Sequence, residues 1–288
     1  NTCKLKENCL IMVVAAAVSA SKAANIKLPS QRILIFGGGT AGIGVATQLL
    51  DEMSRQSGQD EAVIKQQLFI YDRFGLVTTE HEDLTDGQKQ FAHERSELDD
   101  LDTTDLVAVI KQLKPTMLIG ASGVTGAFTE DVVRAMAEVS EQPAIIPLSN
   151  PTRLSEAKPE DIIKWTNGQA LVVTGSPFAP VDYKGVTYTI GQANNALLYP
   201  GLGLGAVVCQ AERITMGMLS AAANAVANLV DTSVVGAPLL PKVADLQHAS
   251  LAVATAVVKQ AVSEKLNTIT ITDAETAVRE KMWEATYH

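Results

Sequence analysis

The chain has 288 residues, enough for one large or two small domains, and 47% of them are hydrophobic, which supplies a sizeable core. Its net charge of −9 argues against a nucleic-acid partner, which needs a basic stripe, but leaves phosphorylated cofactors open, because backbone N–H groups can bind those. Cys3, Cys9 and Cys209, at unrelated spacings, make neither a disulfide framework nor a zinc site and imply a reducing, cytoplasmic compartment.

Residues 9–24 are mostly apolar. Within them CLIMVVAAAV follows Lys4 and Lys6 in the manner of a secretory signal peptide, but the run is too short to span a membrane and reads as a buried helix. The start at Asn1 rather than Met reads as a fragment of a longer protein. Residues 32–36 (RILIF) form a first strand, followed by a glycine-rich loop and an amphipathic helix carrying Val45, Ala46, Leu49, Leu50 and Met53 on one face. Further strands are expected at 68–71, 116–119, 144–148 and 171–173. A helix opens at Thr129, an N-cap followed by Glu130 and Asp131, and another starts at Pro159 and runs to Trp165. Residues 76–100 are polar and irregular, which predicts a surface excursion with solvated His81 and His93. Residues 211–230 read as a long core helix with Ile214, Met218, Ala221, Ala225 and Leu229 on one face, and 243–265 as a second helical region.

Strands alternating with helices predict an α/β fold, a Rossmann-type doubly wound parallel sheet with flanking helices and a C-terminal helical region. The expected divisions are a leading helix at 1–30, a dinucleotide-binding domain at 31–242 and a helical tail at 243–288.

The strongest chemical signal is GGGTAG, residues 37–42, which fits G-x-G-x-x-G between a strand and a helix. Gly37 permits the tight turn, Gly39 lets a pyrophosphate approach the backbone, and Gly42 lets the helix pack closely; Thr40 and Ala41 complete the cradle. Asp72 ends the second strand, where a carboxylate accepts from ribose hydroxyls and repels a 2′-phosphate, although its spacing of 30 residues from Gly42 exceeds the usual value and requires a longer intervening helix. Gly120–Gly123 (with Ser122), Ser149-Asn150-Pro151 and Gly175-Ser176-Pro177 follow other strands and belong at the same crevice, although each is also ordinary turn chemistry. Asn194 and Asn195 could read a carboxylate or carboxamide; from the residues alone a polar loop is the simpler account. His81, His93 and His248 have no metal-ligand spacing, and Tyr183 and Lys184 belong to a surface turn.

Together FGGGTAGIG, YDRFGL, FAHER, LKPTMLIGASG, FTEDVVRAMA, PLSNPT, TGSPFAPV, GQANNALLYPGLGLG and VREKMW resemble the NAD-binding domain of the malic enzyme family over roughly residues 13–288. The resemblance implies oxidation of L-malate by hydride transfer to NAD(P), then loss of CO₂ to pyruvate beside a divalent Mn or Mg ion. It also implies homo-oligomers, dimers or tetramers, with no nucleic-acid or membrane partner. It places Gly37, Gly39, Thr40, Ala41, Gly42, Asp72, Arg73, Ser122 and Asn150 at the dinucleotide, and Asn150, Asn194 and Asn195 at malate; Ala193 stands where the family usually has glycine. Members that use NADP tend to carry a Ser and a Lys after the strand-two Asp and a Lys before the F-A-H segment. Arg73, Phe74 and Gln88 stand here instead, so NAD is the expected cofactor. The family's acid–base residues and two metal ligands belong to an upstream domain, and the remaining metal ligand should fall near residues 2–9, where TCKLKENC carries no aspartate. The expectation is therefore the cofactor-binding portion of an NAD-dependent malic enzyme, inactive alone, with no catalytic or metal residue assigned. A malolactic enzyme fragment and a non-catalytic dinucleotide-binding or assembly module are the alternatives; TGSPF tilts the choice toward a malic enzyme.

Overall fold

The computed structural model describes residues 10–282. Short runs of Ile, Leu, Val, Met and Phe, punctuated by Gly, Ser and Pro, set out the strands. In chain order these are β1 (Ile33–Phe36), β2 (Leu68–Asp72), β3 (Gly75–Leu76), β4 (Met117–Gly120), β5 (Ala144–Pro147), β6 (Leu171–Thr174), β7 (Val181–Tyr183), β8 (Val186–Tyr188) and β9 (Gly191–Gln192). Seven of them make one sheet in the order β3-β2-β1-β4-β5-β6-β9, and β7 and β8 pair as a separate hairpin. Every pairing in the large sheet is parallel except β2 with β3. Ile33 sits opposite Leu68 on one side and Met117 on the other, so β1 is the line at which the strand order reverses. Doubly wound sheets bind ligands at that reversal, beyond the carboxyl ends of the strands.

Side chains alternate across the sheet, and helices cover both faces. The helices are α1 (Ile11–Ala23), α2 (Thr40–Ser57), α3 (Glu61–Lys65), α4 (Asp86–Lys89), α5 (Leu106–Leu113), α6 (Glu130–Val139), α7 (Pro159–Trp165), α8 (Tyr199–Val208), α9 (Met216–Ala227), α10 (Leu246–Ser263) and α11 (Ala274–Lys281). Ile33, Ile35, Ile70, Met117, Ile119 and Ile146 face the core shared with α1, α2, α9 and α10. Leu34, Phe69, Leu118 and Ile145 face a second core, built with α5, α6 and α7. The apolar run of α1 is buried all round, as a core helix should be, and no helix among the described residues is long and apolar enough to cross a membrane.

Two expectations need correction. The segment after β3 is not a solvated excursion, because Leu76, Val77, Leu84, Phe91 and Leu98 are buried in it. Main-chain bonds from Val77 to Ile70 and from His93 to Val77 sew it to the sheet edge. His93 is accordingly 6% exposed; its ring stacks on Phe69 at 4.6 Å, and Nε2–H donates to the Leu68 carbonyl at 2.9 Å. The helix expected from 211 begins only at Met216, because the Thr215 hydroxyl caps it by accepting from Met218 N–H. Ile214 is left 47% exposed, and the core face is Met218, Leu219, Ala222, Ala223 and Val226. The hydrophobic-glycine run after Asn195 contains helix α8, whose Gly201 and Gly205 admit α10 at close range: a Cβ on Gly205 would lie 2.7 Å from the Ala254 carbonyl oxygen.

Candidate functional site

Gly37 turns the chain out of β1 with φ +115°, and a Cβ there would lie 2.7 Å from the Ala121 carbonyl group. At Gly42 a Cβ would lie 1.7 Å from the Gly37 carbonyl oxygen. These two glycines are therefore required by the chain's own packing. Gly39 is not, since a Cβ there would meet nothing within 4 Å. It is the N-cap of α2, with no side-chain cap bond and no acidic residue in the first turn. Gly39, Thr40 and Ala41 are exposed, so uncapped N–H groups and the positive end of an 18-residue helix face open space. This is the geometry that accepts a phosphate.

A cleft of about 640 Å³ opens beside this turn, lined among others by Gly37, Gly39, Asp72, Arg73, Gln88 and Ser122. Asp72 ends β2 and accepts from Gln88 Nε2 at 2.7 Å, and the same amide donates to the Gly38 carbonyl at 3.2 Å. Gln88 is buried and is set by a capping box at Thr85, so α4 presents its amide to the cleft floor in one orientation. One oxygen of Asp72 is held by Gln88, and no other bond to its carboxylate is formed among the described residues. Arg73 is exposed at the rim, its guanidinium 4.5 Å from the Phe74 ring centre. Tyr71 stacks on Phe36 at 5.4 Å and donates its hydroxyl to the Thr104 carbonyl. Burial, then the nearby Asp105 and Asp102, raise the Tyr71 phenol above its ordinary pKa.

The other strand ends join this cleft through hydrogen bonds. Ser122 follows β4, and its hydroxyl is spent within the fold, donating to Glu156 at 3.0 Å and accepting from Val124 N–H at 3.1 Å. Ser149 accepts from Gly123 N–H at 2.8 Å, linking the β4 loop to the β5 loop. Asn150, beside it, accepts from the Ser176 hydroxyl and donates to the Leu148 carbonyl at 3.1 Å. Gln192 of β9 donates to the Gly175 carbonyl at 3.2 Å, and Asn194 donates to Gln192 at 3.4 Å. Asn194 also caps the turn Asn195–Leu197 by accepting from Ala196 N–H at 3.0 Å. Asn150 and Asn194 are thus joined by a continuous polar line across the ends of β5, β6 and β9, outside the cleft that holds the glycine turn.

The donors present fit a dinucleotide but not, by themselves, a metal. Among the described residues no group of three His, Cys, Asp or Glu side chains could hold a metal ion. The segment 2–9, where the family resemblance places a metal ligand, lies outside the described residues, as do Cys3 and Cys9. Another cleft, of about 540 Å³, lies at the amino end of β6 near Lys22 and Asn228, at the end of the strands opposite the glycine turn.

Residues 8–262 match the family model for malic enzyme, NAD binding domain. The chain belongs to the malic enzyme family. It is 49% identical over 280 residues to NAD-dependent malic enzyme 3 of Bacillus subtilis, covering 95% of this chain and 49% of that protein. It is 46% identical over 278 residues to the malolactic enzyme of Lactiplantibacillus plantarum, covering 96% of this chain and 51% of the relative. The chain thus spans about half the length of the curated relatives it matches. Crystal structures of malic enzymes from Entamoeba histolytica and Pyrococcus horikoshii share the fold, with TM-scores of 0.73 and 0.72 at 17% and 20% identity. Each alignment covers 95% of this chain, and 51% and 57% of those chains respectively.

In this malic enzyme domain, sequence reasoning missed Glu156, which stands just before the helix expected from Pro159 and belongs to no motif. It also took Gln88 only as an absent lysine and did not foresee that the amide holds Asp72.

Proposed function

We propose that this chain binds NAD across the β1–β4 reversal and serves as the cofactor-binding portion of an NAD-dependent malate-oxidising, decarboxylating enzyme. The observation that carries the reading is Gly39, a glycine that the chain's own packing does not require, at an uncapped helix start beside Asp72. Free N–H groups of Thr40, Ala41 and Gly42 receive the pyrophosphate. Asp72, oriented by Gln88, accepts from the adenosine ribose hydroxyls and disfavours a 2′-phosphate; Arg73 at the rim covers the adenine side. The backbone at Ser122 borders the nicotinamide half. Asn150, with Asn194 and Asn195, binds L-malate and the carboxamide edge. When bound, NAD supplies the hydride acceptor. The proton-transfer groups and the divalent Mn or Mg ligands are not assigned to this chain's described residues. The same reading includes self-association into dimers or tetramers and a cytoplasmic setting.

Calorimetric titration with NAD and NADP tests this. Saturable NAD binding, tighter than NADP, is the expected result. NADP binding at least as tight would overturn the Asp72 assignment, and no binding of either to folded chain would overturn the reading as a whole. A second reading, in which the complete protein yields lactate, is supported by the 46% and 44% identity to malolactic enzymes. The TGSPF segment argues for pyruvate, and product analysis of the complete enzyme separates the two.

A further inference from the structure

Glu156 lies between β5 and α7 and is wholly buried, with 0% exposure. Among the described residues no Lys or Arg forms an ion pair with it. Its charge is met by hydrogen bonds alone, a costly arrangement that persists only where every lone pair is well used. Oε1 accepts from Ser122 N–H at 3.0 Å, from the Ser122 hydroxyl at 3.0 Å and from the Ser149 hydroxyl at 2.5 Å. Oε2 accepts from Ser149 N–H at 3.3 Å. The seat is shaped for it: a Cβ on Gly120 would lie 2.6 Å from the Glu156 carboxyl carbon.

The two serines belong to loops on different strands. Ser122 follows β4, and its N–H lies 2.8 Å from where a Gly37 Cβ would stand, so this loop abuts the glycine turn. Ser149 precedes Asn150, and Gly123 N–H donates to it at 2.8 Å. One carboxylate therefore sets the spacing of the loops at the ends of β4 and β5. It makes no hydrogen bond to Asp72, Gln88 or Gly38, which form their own cluster.

We propose that Glu156 is a positioning residue whose buried carboxylate fixes the β4 and β5 loops relative to each other and so shapes the nicotinamide half of the site, without contact to the Asp72–Gln88–Gly38 cluster of the adenosine half. This rests on the dinucleotide reading above. Glu156→Gln keeps one acceptor oxygen but turns an NH₂ toward the Ser149 N–H, so only the Ser149 side loosens. Glu156→Ala leaves both loops without their acceptor.

The test is calorimetric titration of the full chain with NAD and with AMP, for the native protein, Glu156→Gln, Glu156→Ala and Ser149→Ala. AMP probes the adenosine half alone. The expected result is AMP affinity unchanged within about twofold throughout, with NAD weakened a few-fold by Glu156→Gln and about tenfold or more by Glu156→Ala. If Glu156→Ala does not fold, Ser149→Ala must show the same NAD-selective loss. NAD affinity equal to native in the variants would overturn the inference. So would parallel loss of AMP and NAD, the mark of a merely structural residue. A native chain that binds neither nucleotide overturns the dinucleotide reading and this inference with it.

Discussion

At Gly39, helix capping and phosphate binding compete for the same N–H groups. An aspartate there would cap α2 from within, and its charge would repel a pyrophosphate. Because a side chain at this position meets nothing within 4 Å, Gly39→Asp is expected to leave thermal stability unchanged or raise it by up to about 1 kcal/mol. NAD affinity should fall at least tenfold. Thermal unfolding and NAD titration on one preparation check both halves, and undiminished binding would remove Gly39 from the site. Gly42→Ala contrasts with it: the new Cβ would collide with the Gly37 carbonyl oxygen at 1.7 Å, so the turn itself must open. A loss of about 3 kcal/mol or more in unfolding free energy is expected, and a denaturant curve like the native one would refute this packing argument. At the other wall, Gln88→Lys replaces the amide that holds Asp72 with an ammonium beside the ribose edge. The NADP-to-NAD affinity ratio should rise by about tenfold, read by paired titrations.

At the scale of elements, the segment from β3 to His93 couples the sheet edge to pH. Burial lowers the His93 pKa, against the opposing influence of the Leu68 carbonyl and Glu97, while Arg32 lowers it further. A histidine kept neutral in the fold takes up its proton more readily when unfolded. Its contribution to stability is full above the unfolded value of about 6.5 and is lost as pH falls from there toward the depressed folded value. His93→Gln, which keeps a donor for the Leu68 carbonyl, should show a smaller fall in melting temperature between about pH 7.5 and about pH 5.5 than the native chain. Equal falls would assign the acid sensitivity to other groups. The sequence concealed this segment for a physical reason. Val77, Leu84, Phe91 and Leu98 stand seven residues apart with mostly polar and charged residues between them, too sparse for the apolar face of a helix or the alternation of a strand. The strands β1, β2, β4, β5 and β6 were legible because a sheet covered on both faces needs unbroken apolar runs, and turn residues punctuate those. The glycine turn was legible because its residue types are dictated locally. Glu156 was not, because its partners Ser122 and Ser149 are 34 and 7 residues away and a loop glutamate carries no pattern. The end of the helix expected at 211 failed similarly, since a Thr cap at 215 is visible only once the chain has turned.

In the whole molecule a single sheet joins the two cores packed on its faces, so ligand binding at the switch point should stabilise the chain as a unit. At a hundredfold excess of NAD over its dissociation constant the gain is about 2.7 kcal/mol, several degrees in melting temperature for a domain of this size. Metal should behave differently. Among the described residues no three ligating side chains come together as a site from which Mn or Mg could hold a substrate carbonyl. The chain incubated with L-malate, NAD and Mn should therefore form neither NADH, pyruvate nor lactate above the protein-free rate. Chelation should leave both the NAD dissociation constant and the melting temperature unchanged. NADH absorbance together with product chromatography reads the first part; titration in chelator reads the second. Metal-dependent pyruvate formation by the pure chain would show that groups outside the described residues complete a working centre. A chelator-sensitive NAD affinity would instead place the metal at the cofactor and overturn this prediction.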